Sequence, residues 1–112
     1  MPLFTGEELR EVISVKMLSG DASRWAKQRI RQLSLDSREI RAGDLFIAIR
    51  GDKFDGHDYV AMAMSRGAVG AIVQDNYVVP PALLKAGPKS SPPFILGVRD
   101  PLFAYQQLAT HH

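Results

Sequence analysis

The sequence predicts an α/β domain, a small mixed or mostly parallel sheet flanked by helices. Two observations carry this expectation. Three short runs, DLFIAI at residues 44–49, AVGAIV at residues 68–73 and FILGV at residues 94–98, are apolar at nearly every position, as in strands covered on both faces. Between the first two lies a segment with helical spacing, residues 57–66. That gives the strand–helix–strand order of a crossover connection, which is right-handed when its strands are parallel.

At 112 residues, with 46% hydrophobic and 23% charged residues, the chain is one domain's worth and long enough to bury a core. It has no cysteine, which excludes a disulfide framework and cysteine-ligated zinc and fits a reducing compartment. No apolar run approaches the roughly 18 residues of a membrane helix, and the start MPLFTGEEL lacks the basic and apolar segments of a secretory signal. The expectation is a cytoplasmic protein without membrane insertion. The net charge is only +2. The basic residues Arg24, Lys27, Arg29 and Arg31 read as a solvated face, because a nucleic-acid stripe needs more of them with interleaved aromatics.

In chain order, Thr5 and Glu8 have capping-box spacing, which predicts a helix over residues 5–13 with Leu9, Val12 and Ile13 as its apolar stripe. Residues 15–18 suit a short edge strand. Ser19-Gly20-Asp21 marks a turn. Residues 21–27 are open between a helical turn anchored by Trp25 and an irregular loop. Residues 29–35 alternate well enough for one strand, although Ile30 falls out of phase with Leu33 and Leu35, as a bulge would produce. The run at 44–49 reads as a central strand. A helix starting at His57 or Asp58 runs to Arg66, with Tyr59, Val60, Met62, Ala63 and Met64 available to pack and Gly67 beyond its end. Residues 75–93 form a proline-rich connection in which 81–85 allows one helical turn. Asp100-Pro101 starts the last helix, with Leu102, Tyr105, Leu108 and Ala109 as its apolar face. That helix meets no stop signal, so it is expected to lead into further chain. His111-His112 read equally as native residues or as the remains of a tag.

The chemistry concentrates in residues 35–59, where the apolar strand is expected to hold two polar turns at its opposite ends. The first turn is Asp36-Ser37-Arg38. The second runs from Gly51 to His57 and contains Asp52, Lys53 and Phe54. There is no GxxxxGK[ST] phosphate loop, no GxGxxG, no GxSxG and no HExxH. Arg50-Gly51-Asp52 spells an adhesion tripeptide that three letters produce by chance. Asp55, His57 and Asp58 are acceptable metal ligands in type, but caps and loop bonds are the favoured account of them, because the sequence shows no second ligand cluster. Ser37 has no adjacent base to make it a nucleophile. A serine and an arginine at a strand end, with Lys53 on a second loop, suit an anion, and Phe54 offers a face to a ring. The other reading is that Arg38 pairs with Asp36 or Asp44 and ties the turn.

These residues carry a resemblance. LDSREIRAGDLFIAIRGDKFDGHDYVAMAMSRGAVGAIV resembles the N-terminal domain of the Mur ligases of peptidoglycan synthesis. The shared pattern is a D-[ST]-R turn at Asp36-Ser37-Arg38 and GDLF-apolar-A at residues 43–48. It continues as G-x-x-x-DGH-D from Gly51 to Asp58 and an A…GA pattern at Ala63, Gly67 and Ala68. VRDPLFAYQQLA at the close is similar to the segment leading into the family's central domain. The likeness extends from Thr5 to Ala109 and is weakest over residues 20–30 and 75–93.

The resemblance implies that residues 1–112 form a UDP-binding domain, with the central ATP-and-magnesium domain and the C-terminal domain absent from this chain. It implies substrate contacts from Leu35, Ser37, Arg38, Asp52, Lys53, Phe54 and His57. Ser37 and Lys53 match positions near the diphosphate, and Leu35 and Phe54 match positions near the uracil. For Arg38 and His57 a structural role is the alternative. No catalytic residue, metal site or cofactor site is expected in the chain, and the fragment alone is expected to be inactive. The wording GDKFDGHDY is most like the branch that adds D-alanyl-D-alanine to UDP-MurNAc-tripeptide. The alternatives are the branch adding the third amino acid, or a free-standing binding module.

Overall fold

The computed structural model describes residues 4–84 and 94–111. Its main sheet has five strands in the order β2-β7-β6-β5-β4. These are β2 (Lys16–Ser19), β4 (Leu33–Ser34), β5 (Leu45–Ile47), β6 (Gly70–Gln74) and β7 (Phe94–Val98). β4, β5, β6 and β7 run parallel to their neighbours, and β2 closes one edge antiparallel to β7. The expected mixed, mostly parallel α/β architecture is what forms.

Side chains alternate across this sheet, as a period of two requires. Leu45, Ile47, Ile72, Leu96 and Val98 enter one core, with Leu9, Trp25, Ala104 and Leu108. Phe46, Ala71, Val73 and Ile95 enter the other, with Val60, Ala63 and Met64. The first core is covered by α1 (Gly6–Val12), α2 (Ala22–Lys27) and α5 (Pro101–His111), the second by α3 (Val60–Ser65) and α4 (Pro81–Leu84). Both faces are therefore buried, which explains why the strands read as continuous apolar runs.

The capping box forms as expected. The Thr5 N–H donates to Glu8 Oε1 at 2.9 Å and the Glu8 N–H to Thr5 Oγ1 at 3.3 Å. The open segment at 21–27 is helical: Asp21 caps it through the Ser23 N–H at 2.8 Å. Trp25 is fully buried, with its ring centroid 5.1 Å from that of Phe94. Gly67 ends α3 at φ 108°, with its N–H on the Met64 carbonyl, a left-handed residue just past a helix.

Four expectations need correction. Residues 29–35 are two strands in two sheets. β3 (Arg29–Ile30) pairs antiparallel with β1 (Phe4–Thr5), and β4 pairs with β5. The out-of-phase Ile30 belongs to the first ribbon, and the break at Arg31 is fixed by its N–H on the Gly43 carbonyl at 2.8 Å. The run at 44–49 is an interior strand as expected, lying between β4 and β6, but it is shorter than its apolar pattern, with β5 spanning only Leu45–Ile47. The helix after the second loop begins as a 3-10 turn at Gly56–Tyr59, capped by Asp55. On α5 the buried residues are Pro101, Ala104 and Leu108, while Leu102 and Phe103 are 47% and 58% exposed. Asp100 caps that helix as expected, accepting from the Leu102 and Phe103 N–H groups. Residues 85–93 of the connection expected at 75–93, and His112, lie outside the described residues. No helix among the described residues is long and apolar enough to cross a membrane.

Trp25 joins α2 to the sheet through Phe94, so Trp25→Ala is expected to destabilise the chain by about 3–5 kcal/mol. A urea titration followed by far-UV circular dichroism measures this.

Candidate functional site

Parallel strands place their C-terminal ends on one edge of a sheet. The Asp36-Ser37-Arg38 turn follows β4 and the Gly51–His57 loop follows β5, and these strands pair in parallel. Both loops therefore share the C-terminal edge. The expectation that one strand holds them at opposite ends fails, because the chain returns through residues 40–44 before β5 begins. Ligands of open α/β sheets commonly bind outside this edge.

Between the two loops lies a cleft of about 440 Å³ lined by Leu35, Asp36, Ser37, Arg38, Phe54 and Tyr59. Four of the expected residues, Leu35, Ser37, Arg38 and Phe54, meet there. Ser37 opens a 3-10 turn at Ser37–Glu39 and is buried, its hydroxyl 3.6 Å from the Met62 sulfur, a weak partner. Arg38 grips Asp36 through Nε to Oδ1 at 3.1 Å and Nη2 to Oδ2 at 3.0 Å. Of the two pairings open to Arg38, the one with Asp36 forms, and Asp44 belongs to Arg31. The Arg38 side chain nevertheless stays 80% exposed. Its side-chain hydrogen bond pushes the Asp36 carboxyl below the ordinary range, and Asp36 in turn raises Arg38.

The second loop is a braced finger. Arg50 and Asp55 face each other in an antiparallel bridge, with Arg50 Nε 3.3 Å from Asp55 Oδ2. The Gly51 N–H reaches the Phe54 carbonyl at 2.6 Å and the Gly56 N–H the Ile49 carbonyl at 2.9 Å. A Cβ on Gly56 would stand 2.8 Å from the Ile49 nitrogen, so only glycine allows this close return. Phe54, at the tip, is 50% exposed and stacks on Tyr59 with centroids 5.2 Å apart and 15° between planes.

His57 is not in the cleft. It is 11% exposed and both ring nitrogens are engaged. Nε2 accepts the Gln74 N–H at 2.9 Å, so Nδ1 carries the proton facing Asp55 Oδ1 at 2.7 Å. This ties the finger to the end of β6, and the structural alternative for His57 accounts for its contacts. Asp52 and Lys53 are exposed on the finger and do not line the cleft. Among the described residues no group of three or more His, Asp or Glu could hold a metal ion. Tyr59 was missed as a site residue because an α-helical start at His57 or Asp58 made it a packing residue. The 3-10 turn, signalled by Asp55-Gly56, carries it to the cleft instead.

The sequence pattern described as Mur ligase family, catalytic domain, matches residues 29–109. The chain belongs to the Mur ligase family. It is 39% identical over 74 residues to the UDP-N-acetylmuramoyl-L-alanyl-D-glutamate--2,6-diaminopimelate ligase of Geobacter sulfurreducens, covering 66% of this chain and 14% of that protein. It is 36% identical over 98 residues to the UDP-N-acetylmuramoyl-tripeptide--D-alanyl-D-alanine ligase of Synechocystis sp., covering 88% of this chain and 18% of that one. A crystal structure of MurF from Acinetobacter baumannii superposes with a TM-score of 0.71 at 25% identity, over 99% of this chain and 21% of that one. The chain thus spans about a fifth or less of the length of these proteins.

Hydrogen bonding by the His57 backbone N–H, then by its ring, holds the Asp55 carboxyl below its ordinary value of 3.8. A lowered carboxylate stabilises the fold above that value, and the contribution is lost as pH falls through the folded-state value beneath it. Asp55→Asn is therefore expected to lower stability at neutral pH, with the gap to wild type closing below pH 3.8. Urea midpoints from pH 7 to pH 2 check this.

Proposed function

We propose that this chain holds the UDP end of a UDP-MurNAc-peptide for a ligase of peptidoglycan precursor synthesis. The observation that carries the reading is the single cleft formed by Leu35, Ser37, Arg38 and Phe54 at the C-terminal edge of the parallel sheet. Leu35 and Phe54 supply apolar surface for the uracil. Ser37 and the exposed Arg38 supply a hydroxyl and a guanidinium for polar and anionic groups. Lys53 and Asp52, on the finger, face solvent and meet the ligand only as it leaves the cleft, with Lys53 toward the diphosphate. His57 sets the finger's position.

In the whole enzyme ATP would phosphorylate the terminal carboxylate of the substrate and an incoming amine would displace the phosphate, giving the amide. ATP and magnesium do not fit the residues here. The sequence has no GxxxxGK[ST] loop, and at this sheet edge the Asp55 carboxylate is already engaged by Arg50 and His57. Those groups are assigned to the central domain, and the chain alone is inactive. The likeness to MurF over 99% of the chain favours addition of D-alanyl-D-alanine. The Geobacter relative favours a second reading, addition of the third amino acid. The compartment proposed is the cytoplasm, where nucleotide-linked precursors are made.

Titration of the ¹⁵N-labelled chain with UDP and with UDP-MurNAc-tripeptide is expected to shift amides at residues 35–38 and 52–55. Ser37→Ala should weaken binding by about 1 kcal/mol. Shifts confined to residues 24–31 would refute the site.

A further inference from the structure

We propose that Tyr59 is a ligand-binding residue of the cleft: its ring backs Phe54 to make a rigid aromatic wall, and its hydroxyl bonds the polar edge of a pyrimidine. This rests on the reading of the cleft as a uridine-nucleotide site and adds to it the residue that selects the base.

Three observations carry it. Phe54 sits at the tip of an exposed finger, where a lone ring would swing freely. Tyr59 removes that freedom by stacking nearly parallel to it, and Tyr59 is held in turn by the 3-10 turn that Asp55 caps. A flat wall fixed before the ligand arrives suits a planar ring better than an adaptable side chain does. Second, Tyr59 itself lines the cleft and is 36% exposed. Third, among the described residues its hydroxyl makes no hydrogen bond. A phenol offers one donor and two acceptor positions. A pyrimidine edge alternates carbonyl oxygens with a ring N–H and can use both, whereas its faces can use only the rings.

A hydroxyl aimed at the base edge discriminates between bases more strongly than an apolar wall can. The two parts of the proposal are therefore separable. The test is titration of the ¹⁵N-labelled chain, as wild type, Tyr59→Phe and Tyr59→Leu, with UDP, CDP and ADP. Tyr59→Leu is expected to weaken UDP binding by about tenfold or more, the effect of losing an aromatic surface beside a base. Tyr59→Phe, which keeps the ring and the fold, is expected to weaken UDP severalfold and to shrink the preference for UDP over CDP. If Tyr59→Phe binds all three nucleotides as wild type does, the hydroxyl assignment is overturned. If Tyr59→Leu also does, the whole inference falls while the UDP reading stands. A well-dispersed wild-type spectrum that no nucleotide shifts overturns the UDP reading, and the role of Tyr59 with it. Should Tyr59→Leu lose its spectral dispersion, the Tyr59→Phe arm decides.

Discussion

A buried carboxylate, Asp44, holds the starts of three strands together. It is fully buried. Its oxygens accept from Arg31, just before β4, at 2.9 and 3.2 Å, and from the Arg41 N–H, just before β5, at 2.9 Å. Its carbonyl accepts from Val69, just before β6, at 2.8 Å. A buried charge is tolerated only when it is paired and its lone pairs are occupied, and here every bond that satisfies it also aligns a strand. The N-terminal edge of the sheet is thereby fixed, and the opposite edge, where the loops emerge, inherits that alignment.

The candidate site depends on this alignment rather than on any one loop. Leu35 and Phe54 are far apart in sequence and meet only because β4 and β5 are parallel neighbours in the right register. Each loop then carries its own internal bracing: Arg38 on Asp36 in the first, and the bridge from Arg50 to Asp55 with the His57 link in the second. Loops fixed in this way lose little conformational freedom on binding, so contacts made there translate more fully into affinity.

The parts of the fold with strong local signals were legible in the sequence. The capping box at Thr5 and Glu8, the Asp100-Pro101 start and the doubly covered strands are properties of a few adjacent residues, and each forms where its pattern lies. What was not legible depended on distant partners. Nothing within residues 29–35 says that Ile30 pairs with Phe4 while Leu33 pairs with Leu45. The stripe on α5 was misplaced because Leu102 is apolar enough for a core yet points away from it. At the site, the two turns were found from their residue types and the family pattern. Their shared edge, the internal role of His57 and the exposure of Tyr59 are consequences of topology and of a 3-10 turn, which composition does not announce.

The antiparallel edge strand has a consequence for how the molecule is made. β2 pairs Lys16 with Gly97, and no other neighbour in the main sheet is available to it. The partner is therefore synthesised long after β2 itself. While it waits, β2 has no backbone partner in that sheet, and closing so long a loop is entropically unfavourable until the parallel strands have formed. Pairing of β2 in the main sheet therefore waits on β7, the last strand of that sheet in the chain. A ribosome-bound chain stopped before β7 would leave β2 without a backbone partner in the main sheet, and residues 94–98 are what supply it.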